Sequence, residues 1–262
     1  MDFQFIRYSL EHGVATLTLC RPEVLNSFNR AMALEVQRAL AHVATDDAVR
    51  AVLLTGEGRG FSAGQDLAEA TAGDPGSIDL GDIVKSSYTP MVTAVRTLEK
   101  PVVCAVNGVA AGAGANLALA CDIVVASDDA SFIQSFTRIG LVPDTGGTFF
   151  LPRLVGMARA SAMMLLADKV PARKALEYGM VYDVVPAADL LERARTLTGQ
   201  LAAMPTRALG LTKRALNASV GNDLATQLAV EEALQRAAGR TEDYAEGVRA
   251  FLEKRKPTYA GR

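Results

Sequence analysis

Residues 105–122, AVNGVAAGAGANLALACD, constrain the fold more than any other stretch of this chain. The run is too rich in glycine and alanine for an ordinary buried segment. It reads as a strand over residues 102–106, a tight turn of small residues, and a helix opening near Ala113. Backbone N–H groups at a helix start lack intrahelical partners, and the helix dipole favours negative charge there. Small side chains let a ligand approach those donors closely. A second run, LVPDTGGT at residues 141–148, sets one carboxylate, Asp144, on a turn rich in proline and glycine. A backbone anion site beside one acid in an apolar frame is what enolate chemistry requires.

With 262 residues, 50% of them apolar, the chain can bury one large core plus an appendage. A formal net charge of −2, with no basic block except EKRK at residues 253–256, argues against nucleic-acid binding. Cys20, Cys104 and Cys121 are odd in number and lack C-x-x-C spacing, so neither a disulfide framework nor a metal site is expected. The first residues carry no secretion pattern, and no apolar run reaches the length of a membrane span. The expectation is a soluble cytoplasmic protein.

Strand-like alternation over residues 3–9 and 14–20, around His12 and Gly13, predicts an opening hairpin. Residues 26–29 can cap a helix running to Ala44, and residues 51–55 form a short apolar strand. Between residues 69 and 82 glycine, aspartate, serine and proline accumulate, the mark of a variable insertion. A helix over residues 88–98 and strands over 102–106 and 123–126 continue the alternation that defines an α/β layered fold. Beyond Leu190 the pattern is helical only, with Pro205 starting one helix and Thr241 capping another. Two units follow: a core over 1–190 and a helical region over 191–262.

The turn FSAGQDL at residues 61–67 offers the Gln65 N–H, and GAGAN at residues 112–116 offers the Ala113 N–H. Two convergent donors make an oxyanion hole, each worth on the order of 3 kcal/mol in acyl chemistry. Asp66 reads equally as a helix cap. Asp144 can cap the helix that follows it, or serve as a proton shuttle whose pKa the apolar neighbours Leu141, Val142 and Pro143 raise. His12 and His42 are poor catalytic candidates. Ser62 lacks a G-x-S-x-G frame, and GAGAN lacks the third glycine of a dinucleotide fingerprint.

Four ordered motifs carry a resemblance: RPEVLNSF at 21–28, GRGFSAGQDL at 58–67, PVVCAVNGVAAGAGANLALACDIVVAS at 101–127, and GLVPDTGGTFFLPRLVG at 140–156. The chain resembles the crotonase, or enoyl-CoA hydratase/isomerase, superfamily over its whole length. The resemblance implies an α/β fold, a crotonase-like spiral of repeated ββα units, with a C-terminal helical region used in trimer contacts. It implies a homotrimer, or a hexamer built as a dimer of trimers. The oxyanion hole then falls on the N–H groups of Gln65 and Ala113, and the substrate is an acyl-CoA thioester with no separate cofactor and no metal. Acyl-CoA contacts are expected at Ala63, Asp66, Leu67 and Gly114. Ile139, Leu141 and Pro143 are expected to wall the acyl pocket, together with residues 69–88. Arg21 and Lys254 match positions that meet the nucleotide or its phosphates, and Phe251 matches one beside the adenine or at the trimer contact. For Lys254 a solvated helix end is the plain alternative.

The two glutamates with which hydratases of this family activate water fall here on Asn116 and Phe136. Asp144 instead matches the aspartate of certain isomerases and dehalogenases. The C-terminal run AAGRTEDYAEGVRAFLEKRKPTYAGR is similar to that of isomerases acting on ring 1,2-epoxyphenylacetyl-CoA in phenylacetate catabolism. The expected activity is conversion of that thioester to oxepin-CoA through an enolate, together with 3-enoyl to 2-enoyl double-bond shifts. A general enoyl-CoA hydratase/isomerase of fatty-acid oxidation, or a non-catalytic CoA-ester-binding subunit, are the alternatives.

Overall fold

The computed structural model describes residues 2–70 and 79–262. Strands β1 (Ile6–Glu11) and β2 (Val14–Leu19) pair antiparallel, as the alternation predicts. Helix α1 (Arg30–Thr45) starts at Asn29, whose side chain accepts the Met32 N–H, and leads to β3 (Ala51–Gly56) and β4 (Gly60–Ser62). A short α2 (Leu67–Ala70) follows. Helix α3 (Leu80–Ile83), a π turn (Val84–Tyr88) and α4 (Thr89–Thr97) run on without a break. Next come β5 (Val102–Val106), β6 (Val109–Ala111) and α5 (Ala113–Ala120). Strands β7 (Ile123–Ser127) and β8 (Ser131–Ile133) precede α6 (Gly147–Val155) and α7 (Met157–Leu166). Strand β9 (Val170–Pro171), α8 (Ala172–Glu177) and β10 (Asp183–Val185) complete the sheets. Four helices follow: α9 (Leu190–Ala202), α10 (Thr206–Ser219), α11 (Leu224–Ala238) and α12 (Glu242–Leu252).

From β3 to β8 successive strands go alternately to two sheets. One sheet has the order β1-β2-β3-β5-β7-β10, the other β4-β6-β8-β9. The series β3-β5-β7 and β4-β6-β8 are both parallel, so each strand–strand–helix unit advances one step along both sheets. The result is a spiral of ββα turns. Strands of three residues, as in β4, β6 and β8, are too short to show alternation, and the sequence reading finds none of them.

The central strands are buried on both faces, as parallel sheets are. Val52, Leu54, Val102, Cys104 and Val106 point into the main core. Their alternates Leu53, Val103 and Ala105 meet Leu190, Ala194 and Leu197. The sheet's second face is therefore covered by α9, which lies almost wholly on the far side of a division at residue 190. Helix α10 is anchored through the buried Lys213, whose Nζ donates to Asp122 Oδ2 at 2.7 Å and to the Val95 carbonyl at 2.7 Å.

One loop fixes the ends of the strands near the small-residue turn. Asn26 is fully buried in a left-handed conformation with φ 54°, which asparagine tolerates better than most residues. Its Oδ1 accepts the Arg21 N–H at 2.8 Å, and its Nδ2 donates to the carbonyls of Glu57 at 2.9 Å and Gly60 at 2.8 Å. Leu25, Asn26 and Phe28 then bind the chain from Ser62 to Asp66, through Ala63 N–H to Leu25 O at 2.9 Å and Ser62 Oγ to Asn26 O at 2.8 Å. Replacing Asn26 by alanine strands these buried partners. Asn26→Ala is expected to lose about 3 kcal/mol in urea unfolding; a loss below about 0.5 kcal/mol would show that the loop is held by other means.

Candidate active site

Two backbone donors are built by two different pairings. Gln65 forms a parallel bridge with Phe28, in which the Phe28 N–H donates to the Gly64 carbonyl at 2.7 Å and the Asp66 N–H to the Phe28 carbonyl at 2.9 Å. In a planar trans peptide the C=O and N–H point oppositely. The unit whose carbonyl faces Phe28 therefore aims the Gln65 N–H away from it. Ala113 is the first residue of α5, so its N–H belongs to the helix's unpaired set. The carbonyl of that same peptide unit, on Gly112, accepts the Asn116 N–H at 3.1 Å, which fixes the plane.

Glycine is required on both approaches. Gly112 has φ 50° and ψ −124°, a conformation open only to glycine. Gly64 has φ 92°, and a Cβ there would lie 2.8 Å from the Ala111 carbonyl oxygen and 3.3 Å from the Ala113 nitrogen. That last distance puts the two turns together. Donors so arranged can bind an oxygen on which negative charge develops.

Asp144 sits at the junction of the same elements. Asn116, one turn into α5 from Ala113, donates its Nδ2 to the Asp144 carbonyl at 2.8 Å and accepts from Gln134 Nε2 at 2.8 Å. The amide is thus fully engaged in holding the acid's turn. Phe136 is buried and its ring borders Gly112. The Asp144 carboxylate does not cap α6; its backbone carbonyl takes the Gly147 N–H at 2.8 Å, and Oδ1 accepts the Thr145 hydroxyl at 2.7 Å. Thr145 has φ 53°, a left-handed conformation that costs a β-branched residue on the order of 1 kcal/mol. Burial pushes the Asp144 carboxyl above its ordinary value, and the Thr145 hydrogen bond offsets part of that.

Tyr88 closes the arrangement; the sequence reading includes it in the 69–88 stretch expected at the pocket but does not single it out. Its ring is buried and meets Phe28 edge-on, with centroids 6.2 Å apart. Its hydroxyl donates to the side-chain carbonyl of Gln65. Burial and then the charge of Asp144 push the phenol well above its usual pKa, so it stays protonated. A cavity of about 220 Å³ opens here, lined in part by Phe28, Gln65, Ile83, Ser87 and Tyr88.

The other expected contacts distribute unevenly. Arg21 and Asp66 pair with each other at 2.8 Å, both largely buried, and Asp66 Oδ1 also accepts the Ala68 N–H at 3.1 Å. The Arg21 guanidinium also donates to the Ser27 carbonyl at 2.7 Å. The Ala63 N–H is committed to Leu25, and Gly114 is buried in the first turn of α5. Leu67, Ile139 and Leu141 are exposed and Pro143, next to Asp144 in the chain, is half-buried. Phe251, 83% exposed, and Lys254 lie at the end of α12, with no hydrogen bond to the site among the described residues. The expected contribution of residues 69–88 to the pocket falls partly on residues 71–78, which lie outside the described residues.

The chain is thus a spiral of ββα turns that carries two backbone N–H groups and a carboxylate at one junction. Residues 9–262 match the enoyl-CoA hydratase/isomerase family, and the chain belongs to that family. It is 50% identical over 260 residues, 99% of both chains, to the 1,2-epoxyphenylacetyl-CoA isomerase of Escherichia coli K12. It is 36% identical over 267 residues, 100% of both chains, to the trans-2-decenoyl-[acyl-carrier-protein] isomerase of Streptococcus mutans. Among solved structures, enoyl-CoA hydratase from Bacillus anthracis superposes with a TM-score of 0.94 at 35% identity, covering 99% of this chain and 100% of that one. No helix among the described residues is long and apolar enough to cross a membrane.

The raised Asp144 pKa has a sign that can be measured. A folded-state pKa above the unfolded value contributes stability at low pH that is lost as pH rises through the folded pKa. Asp144→Asn cannot titrate, so it is expected to melt above the wild type at pH 7, with the difference shrinking as pH falls to the ordinary aspartate range. A wild type that is the more stable at pH 7 would contradict the desolvation of Asp144.

Proposed function

We propose that the protein is an acyl-CoA isomerase in which Asp144 carries a proton between two carbons of one thioester. The observation that carries this reading is the position of Asp144. It is tied through Asn116 to the helix bearing Ala113, and it lies within electrostatic reach of Tyr88, which holds Gln65. The other acids nearby are otherwise engaged. Asp66 is paired with Arg21, and Glu69 is exposed and accepts the Arg30 N–H at 2.8 Å. Where family hydratases carry two glutamates, Asn116 and Phe136 supply no base.

The thioester carbonyl oxygen sits between the Gln65 and Ala113 N–H groups, which stabilise the enolate and so acidify the α-carbon. The Asp144 carboxylate takes the α-proton and becomes the neutral acid. The electron pair moves through the enolate, and the acid returns its proton to the γ-carbon. A β,γ double bond has become α,β, and the carboxylate is restored. The oxepin form of ring 1,2-epoxyphenylacetyl-CoA holds such a β,γ bond, so one shuttle serves that thioester and linear 3-enoyl-CoA alike. Desolvation suits Asp144 to the first half of the cycle, because a carboxylate with a raised pKa is the stronger base. The family resemblance adds a homotrimer, or a pair of trimers, in the cytoplasm. A monomer by light scattering would remove the first.

The test is turnover of purified protein on the ring epoxide thioester, on 3-enoyl-CoA and on 2-enoyl-CoA plus water. Isomerisation of the first two with little hydration is expected. Asp144→Asn is expected to lower isomerisation about 10³-fold while acyl-CoA affinity stays within about threefold. Retained turnover in that variant would take Asp144 out of the mechanism. Dominant hydration would replace the reading with a hydratase.

A further inference from the structure

The helical segment from Leu80 to Thr97 contains a π turn, and the sequence explains where it falls. Pro90 has no N–H for the Ser86 carbonyl four residues earlier, and its ring crowds that carbonyl. The ladder widens there: the Thr89 N–H reaches back five residues to Val84. The carbonyls of Ser86 and Ser87, left over by this shift, accept Nε2 of Gln37 from α1 at 3.0 and 2.9 Å. A wide turn satisfied by a side chain from another helix is a built feature, and π turns of this kind recur at functional sites. Its last residue is Tyr88.

We propose that Tyr88 is a positioning residue that holds the Gly64–Gln65 peptide unit, and with it one donor of the oxyanion hole, in the orientation that polarises the thioester. The inference rests on the acyl-CoA reading above and adds to it a residue that acts through another. The peptide unit next to Gly64 is the most easily rotated part of the hole, because glycine at φ 92° carries no side chain to restrain it. Tyr88 restrains it twice. Its hydroxyl holds the Gln65 side chain, and its ring packs edge-on against Phe28, whose N–H pins the Gly64 carbonyl. Tyr88 is 2% exposed and remains protonated, so it keeps its role as donor across the working pH range.

The experiment uses cinnamoyl-CoA, a conjugated thioester with no γ-hydrogen to lose, as a bound probe. Its absorption moves to longer wavelength when the carbonyl is polarised. Wild type is expected to show the shift, Tyr88→Phe to show less than half of it, and Asp144→Asn to keep it. On a reactive 3-enoyl-CoA, Tyr88→Phe is expected to lower kcat about tenfold, the factor one buried hydrogen bond commonly carries, with KM within about twofold. Gln65→Met removes the acceptor and keeps the backbone N–H. It is expected to match Tyr88→Phe, and the double variant to be no worse than either. It also carries the test if Tyr88→Phe does not fold. An unchanged shift in either single variant, or additive losses in the double, would overturn the inference. No shift in wild type would overturn the acyl-CoA reading itself.

Discussion

The hydrogen bond from the Phe28 N–H to the Gly64 carbonyl determines which way the Gln65 N–H points, and much of the architecture serves to place it. Phe28 follows the buried knot at Asn26, which gathers Arg21, Glu57 and Gly60 by three side-chain hydrogen bonds. The knot holds the outgoing end of β4 against the loop before α1. Parallel pairing of β4 with β6 then sets that end beside the start of α5. Neither donor is made by a side chain, so the site depends on the fold's register to bring the two N–H groups together.

The acid is placed by the same economy of small contacts. Asn116 spends both ends of its amide on Asp144 and Gln134, and the turn after Asp144 adopts two left-handed residues, Thr145 and Gly146, before α6 begins. The carboxylate is half-desolvated, with one hydroxyl donor and no cationic partner among the described residues. A salt bridge there would have lowered its pKa and weakened it as a base. The contrast with Asp66 is instructive. Asp66 has Arg21 at 2.8 Å, and hydrogen bonds to Arg21 and the α2 backbone bring its pKa below the ordinary value despite burial. The two aspartates, both close enough to Tyr88 to act on its phenol, are thus driven in opposite directions, Asp144 above the ordinary carboxylate range and Asp66 below it.

Much of this was legible in the sequence. Five strands of the large sheet, the Asn29 and Thr241 caps, and the opening of α5 at Ala113 follow from alternation, apolar runs and capping chemistry, whereas the three-residue β10 leaves no pattern. The smaller sheet was not, because its strands carry too few residues for a pattern and pair only across the spiral. Arg21 enters the sequence reading through the family resemblance and Asp66 as a possible cap; that they pair with one another is a contact across 45 positions that no local pattern contains. Tyr88 was passed over for the same reason, since Gln65 lies 23 positions away. One local signal did exist: Pro90 inside an otherwise helical stretch marks the place where the ladder must open.

The single-carboxylate shuttle proposed for Asp144 moves one proton from the α- to the γ-carbon beneath a polarised carbonyl. It is tested most directly with 3-enoyl-CoA carrying deuterium at the α-carbon, turned over once in ordinary water. A desolvated Asp144 holds the deuteron long enough to deliver part of it, so the 2-enoyl product is expected to carry label at its γ-carbon. A product whose newly added γ-hydrogen comes only from solvent would contradict a single shielded shuttle.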